Sequence, residues 1–151
     1  MKIRDLFDDI QNPEYSVYDY ISNNIDFSQD EREINNLPKV LQVVYIVHRF
    51  IDEINSGGLD YYYDVFAPYK ELSDCLKAIN DTNVLKLINE SDKIINNVEK
   101  RIGKAITDNI EYINEDESDI LQEINSKYYN YEDDLIEKLR KYVIENGNIE
   151  I

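Results

Sequence analysis

The sequence predicts an all-α fold, and three observations carry that expectation. Apolar residues recur at spacings of three and four along most of the chain. No segment shows convincing apolar–polar alternation of the kind a half-buried strand would need. Only 4 Gly and 3 Pro occur among 151 residues, which leaves little room for long irregular stretches. With 42% hydrophobic residues the chain can bury a real core, and its length is that of one domain. No repeat or linker divides it, so a single domain of helix pairs with short connections is expected over residues 1–151.

The elements follow in order. After the Asn12-Pro13 break, residues 15–25 read as a short helix. The best-supported helix runs from residue 37 to about 56, where Leu37, Val40, Leu41, Val44, Val47, Ile51 and Ile54 form one face. Val43 and Ile46 widen that face, which places the helix centrally in the core. Pro38 suits a first helical position, and Gly57 and Gly58 supply a C-terminal turn. Residues 59–66 are aromatic-rich and read as helical. Tyr62, Tyr63, Phe66 and Tyr69 are placed to pack back on the preceding helix, leaving Asp60 and Tyr61 exposed. Pro68 can open a helix to about residue 79, and Asp81 or Thr82 can cap the next. Val84, Leu85, Leu87 and Ile88 supply its apolar face, and Ile94, Ile95, Val98, Ile102 and Ile106 continue the period, as one helix or as two joined near Gly103. In the last third, Ile120, Leu121, Ile124, Tyr128, Tyr131, Leu135, Leu139 and Tyr142 share a stripe. Ser118 can cap its start, Asn146-Gly147 ends it, and residues 128–131 can break it in two.

The charge is the strongest functional signal. The chain holds 32 Asp and Glu against 16 Lys and Arg, a formal charge of −16. Such a surface repels nucleic acid and anionic membrane and attracts basic proteins. The 22 Ile, 17 Asn and 13 Tyr match an AT-rich coding bias, which also favours Lys, yet only 11 Lys are present. The acidity therefore runs against the compositional drift. It is densest over residues 111–134, where Glu111, Glu115, Asp116, Glu117, Asp119, Glu123, Glu132, Asp133 and Asp134 stand against Lys127 alone. A solvated helix N-terminus accounts for part of that cluster, because acids there favour the helix dipole.

Residues of catalytic type are sparse. His48 is the sole histidine, four residues before Asp52 on the most apolar helix, and reads as a core-edge side chain beside a carboxylate. An enzyme would need a deep pocket uniting His48, Asp52 and exposed tyrosines. Cys75 is the sole cysteine, which excludes an intramolecular disulfide or a thiolate metal cluster, and it reads as a buried apolar thiol. There is no phosphate-binding glycine loop, nucleophile elbow, HExxH or calcium-loop pattern, so no catalytic residue, metal or cofactor is expected. Residues 1–5 lead into alternating acid and apolar positions rather than a signal-type apolar run, and the apolar run at residues 40–47 is too short to span a bilayer. A soluble cytoplasmic protein is the expectation.

The segment Glu53-Ile54-Asn55-Ser56-Gly57-Gly58-Leu59-Asp60-Tyr61-Tyr62-Tyr63-Asp64-Val65-Phe66 resembles the signature of a bacterial domain-of-unknown-function family. In that family a helix ends in an N-G-G-F motif, followed by an aromatic run and an Asn; its best-known relative is a small, acidic, dimeric DNA-mimic protein. Leu37-Pro38 and Val43-Val44 upstream look like the family too, as does Leu121-Gln122-Glu123-Ile124-Asn125-Ser126-Lys127-Tyr128-Tyr129, followed by Asp133-Asp134-Leu135 and Tyr142-Val143. The resemblance covers residues 37–146. Ser56, Leu59, Tyr61 and Asp64 depart from the usual Asn, Phe, Gln and Asn.

The resemblance implies a non-enzymatic domain that binds a basic protein, such as a DNA-binding regulator or a nuclease, by imitating phosphates and not by touching nucleic acid. The partner-binding candidates are Asp60, Tyr61, Asp64 and the nine acids of residues 111–134, with Tyr129 and Tyr131 as further aromatic anchors. Gly57 and Gly58 are structural. Two other readings stay open: an immunity protein against a nuclease toxin, and a homodimerising structural domain whose acidity serves solubility.

Overall fold

The computed structural model describes residues 1–27 and 29–151. Among them lie six α-helices: α1 (Pro13–Asn24), α2 (Lys39–Val65), α3 (Leu72–Ala78), α4 (Thr82–Ile102), α5 (Glu115–Tyr128) and α6 (Glu132–Glu145). Short 3-10 turns at Ile3–Leu6, Glu31–Asn36, Ala67–Glu71 and Ile110–Tyr112 join them. No strand forms among the described residues; Lys2 and Glu150 make one isolated antiparallel bridge.

The centre is α2, against which α1, α3, α5 and α6 all pack, while α4 lies across α3 and α5. Residues 43–47 of α2, Val-Val-Tyr-Ile-Val, are buried without interruption. Their β-branching would favour a strand locally, but neighbours on all sides reward burial by about 1.5–3 kcal/mol per large apolar side chain, which outweighs propensity differences under 1 kcal/mol. The aromatic run after the Gly pair does fold back on α2. Tyr62, Tyr63, Phe66 and Tyr69 are buried, and the Tyr62 ring meets Phe50 edge-on at 5.1 Å. Tyr63 donates its hydroxyl to Asp92 Oδ1 at 2.6 Å and lies 2.8 Å from Ser91 Oγ, tying this run to α4.

Several boundaries differ from expectation for local reasons. Pro38 stands at the N-cap of α2, one position before N1, and its carbonyl accepts from the Gln42 amide at 3.1 Å. Pro68 opens only a 3-10 turn, and α3 starts at Leu72. Asp81 caps α4 through the Val84 amide at 3.0 Å. One unbroken helix then runs to Gly103, which ends it in the left-handed region at φ 72°. Asn114, not Ser118, caps α5 in a reciprocal box with Glu117. The chain does break between Tyr128 and Glu132.

The first residues complete the same core. Ile3, Leu6, Val17 and Ile21 are buried with the residues of α2 and α6. The termini clasp through Ile3 N to Ile149 O at 3.0 Å, Arg4 N to Gly147 O at 2.9 Å and Ile151 N to Met1 O at 2.8 Å.

Candidate functional site

The break at Gly58 organises one end of the molecule. Its φ of 83° and ψ of −174° lie where side-chain-bearing residues are strongly disfavoured, so glycine lets the chain leave one helical axis and resume another. The helical amide freed there, Leu59 N, is capped from another element by Asn125 Oδ1 at 3.1 Å. Gly57 serves a different need: a Cβ at that position would stand 2.6 Å from Tyr61 Cβ. The absent side chain lets the Tyr61 ring lie against the backbone, where it remains 40% exposed. Asp60 is half-buried, and burial raises its carboxyl above the usual range. Asp64 is also half-buried, and its carbonyl accepts from Asp108 N at 3.2 Å.

Across from the break, α5 turns Leu121, Ile124 and Tyr128 to the core. Its outward side carries Glu115, Asp116, Asp119 and Glu123, all exposed. Glu123 pairs with Lys127 at 3.3 Å, whereas Glu115, Asp116 and Asp119 have no ion-pair partner among the described residues. Residues at such spacing share a helix face and rise about 6 Å per four positions. Asp133 at the start of α6 is exposed, and Asp134 pairs with Lys138 at 2.8 Å. Glu111 is exposed on the 3-10 turn before α5.

The nine acids of residues 111–134 therefore do not form one uniform patch. Glu117 is held by Arg101 in a two-pronged pair and caps the Asn114 amide at 3.0 Å, so its carboxyl is only 16% exposed and its pKa is lowered. Glu132 is half-buried and accepts from Asn55 Nδ2 at 3.4 Å. Lys127 was the one cation visible within the segment; Arg101 and Lys138 reach the patch from α4 and from further along α6. No local spacing marks Arg101 as a neighbour of this region or Asn125 as the cap of Leu59, because both act across elements.

Among the other candidates, Tyr129 is exposed and donates its hydroxyl to Ile54 O at 3.0 Å, and Tyr131 is half-buried. His48 is stacked on Tyr18 with ring centres 3.9 Å apart and meets Tyr15 edge-on at 5.3 Å. Its Nδ1 lies 3.3 Å from Asp52 Oδ2, within ion-pair range but off the line of a hydrogen bond. Burial lowers its pKa, against the opposing pull of Asp52, Glu14 and Asp19. Cys75 is buried, which pushes its thiol up to about 12. Among the described residues no three His, Cys, Asp or Glu side chains converge as metal ligands would, and no helix is long and apolar enough to cross a membrane.

A model of the DMP19-like protein family matches residues 35–146. The chain belongs to that family. Neither a comparison with curated proteins nor one with solved structures returned a match. The family match contains the Gly58 break, the capping Asn125 and the acidic face of α5 together. Residues 1–34 lie outside it, although Ile3, Leu6, Val17, Ile21 and Ile34 are buried in the same core.

Proposed function

We propose that this member of the DMP19-like family binds a basic, nucleic-acid-binding protein surface, with the outward carboxylates of α5 standing where a strand's phosphates would lie. The observation that carries the reading is the run Glu115, Asp116, Asp119 and Glu123 on one helix face, three of them without an ion-pair partner among the described residues. The 6 Å rise between residues four apart is comparable to the separation of adjacent phosphates along a strand. Arginine and lysine side chains arranged to meet DNA thus find similarly spaced charges. Tyr112, Ile120 and Tyr129 are large exposed side chains among these acids, the sort of anchor around which charged rims collect. A DNA-binding regulator and a nuclease both present the required surface. The family's precedent of DNA mimicry supports the reading and leaves the partner's identity to experiment.

Affinity capture from a bacterial lysate at low and at high salt tests it. The expected result is a basic DNA-binding protein retained at low salt, released at high salt, and displaced by added duplex DNA. The triple variant Glu115→Lys, Asp116→Lys, Asp119→Lys should weaken retention at least tenfold. Retention unchanged by that variant, or indifferent to DNA, would overturn the proposal.

A further inference from the structure

A pocket of about 150 Å³ opens where α2 breaks, lined by Gly57, Gly58, Leu59, Asp60, Leu121, Gln122 and Asn125. It is too small for an ordinary metabolite, whose sites begin near 300 Å³, but it has room for the head of one side chain. Its chemistry is one-sided. Asp60 is the only charged group in the lining, and no described residue pairs with it or hydrogen-bonds to its carboxyl. Gln122 and Asn125 add carboxamides, and Asn125 is already oriented by its bond to Leu59 N. Tyr61 follows Asp60 outside the lining, and its exposed ring is laid against Gly57, which does line the pocket. A half-buried carboxylate without a cation is a cost the fold carries, since burial opposes its charge.

We propose that this pocket receives an arginine side chain of the basic partner, its guanidinium paired with Asp60 and stacked on Tyr61. The inference rests on the proposed binding of a basic protein and names the side chain that anchors it. Arginine fits better than lysine. Its planar fork offers five donors to a carboxylate and flanking carboxamides, it stacks on aromatic faces, and it sheds water more readily than an ammonium. The pocket thereby adds selectivity to the longer-range attraction of α5, which does not distinguish the two cations.

The test uses the full-length chain, labelled for NMR, and two synthetic peptides, four Arg-Gly repeats and four Lys-Gly repeats, at low salt. The arginine peptide should shift the amides of Leu59, Asp60, Gln122 and Asn125 saturably and bind at least fivefold more tightly than the lysine peptide. Asp60→Asn should abolish that preference, Tyr61→Leu should reduce it, and Asp116→Asn should weaken both peptides alike. Because burial opposes the charge at Asp60, its Asn variant should melt no lower than the wild type at neutral pH. Tyr61→Leu provides an independent arm should it do so. Equal binding of the two peptides, or an arginine preference that survives Asp60→Asn, would overturn the pocket assignment and leave the acidic-face proposal standing. Failure of both peptides to bind the wild type would overturn both.

Discussion

Arg101 grips Glu117 with two parallel hydrogen bonds, Nη1 to Oε2 at 3.0 Å and Nη2 to Oε1 at 2.8 Å. The same guanidinium reaches the Tyr112 carbonyl at 2.8 Å. The pair joins the end of α4 to the first turn of α5 across a connecting segment, and Glu117 also closes the capping box with Asn114. The acidic face of α5 is thus oriented by the one acid of its first turn that is not free to bind elsewhere.

Asn114→Ala should accordingly cost about 1 kcal/mol of stability in a urea titration, the usual effect of losing an N-cap. Arg101→Ala should lower the unfolding midpoint too, by an amount that shrinks as salt is added, because the pair lies at the surface. A midpoint unchanged by Asn114→Ala would show that the cap adds nothing to helix stability.

The two positive-φ glycines should respond differently to alanine. At Gly58, φ 83° with ψ −174° falls in a region almost closed to other residues, and Gly58→Ala should cost about 1–3 kcal/mol. At Gly103, φ 72° with ψ 22° is ordinary left-handed backbone with nothing within 4 Å of a new Cβ. Gly103→Ala should cost nearer 1 kcal/mol. Equal losses in chemical denaturation would contradict the assignment of strain to the α2 break.

Arg49 bridges Glu31, at 2.9 Å, and Glu53 on the flank of α2, while Tyr45 donates its hydroxyl to Glu31 at 2.7 Å. All three charged side chains are largely buried. Removing the cation strands two carboxylates, so Arg49→Ala should destabilise by about 3 kcal/mol. Adding Glu31→Gln and Glu53→Gln should recover part of that loss. A double-mutant cycle measures the coupling, and additivity would refute it.

His48 sets an acid-side limit. Its pKa is lowered in the folded state, so the unfolded chain binds the proton more readily. Stability should be intact above the unfolded value of about 6.5 and fall as pH drops from there through the lower folded value. The groups facing His48 are Asp52, Glu14 and Asp19, which oppose the shift, and the rings of Tyr15 and Tyr18. His48→Gln should flatten this limb of the stability–pH curve as pH falls below about 6.5. A limb just as steep in the variant would assign it to carboxylates instead.

Much of the helical layout was legible because burial follows the 3.6-residue period. Val40, Val44, Val47, Ile51 and Ile54 lie on one face and are all buried. The break at Gly58 was legible because glycine is the residue that accepts such a backbone, with φ at 83°. Boundaries were less so: Pro38, Pro68 and Ser118 each suit a helix start, yet α2, α3 and α5 begin at Lys39, Leu72 and Glu115.

The sequence by itself determined the all-α class, the central place of α2, the return of the aromatic run onto it and the surplus of negative charge. These depend on local period, glycine chemistry and composition, which need no knowledge of distant neighbours. Only the tertiary structure decided which acids are free. Glu117 and Glu132 are drawn inward by Arg101 and Asn55, while Asp116 and Asp119 remain outward. It also placed Asn125 against Leu59, and so made a pocket with Asp60 on its wall. The physical reason is that a charge's availability depends on the groups packed beside it, and those groups come from helices far away along the chain.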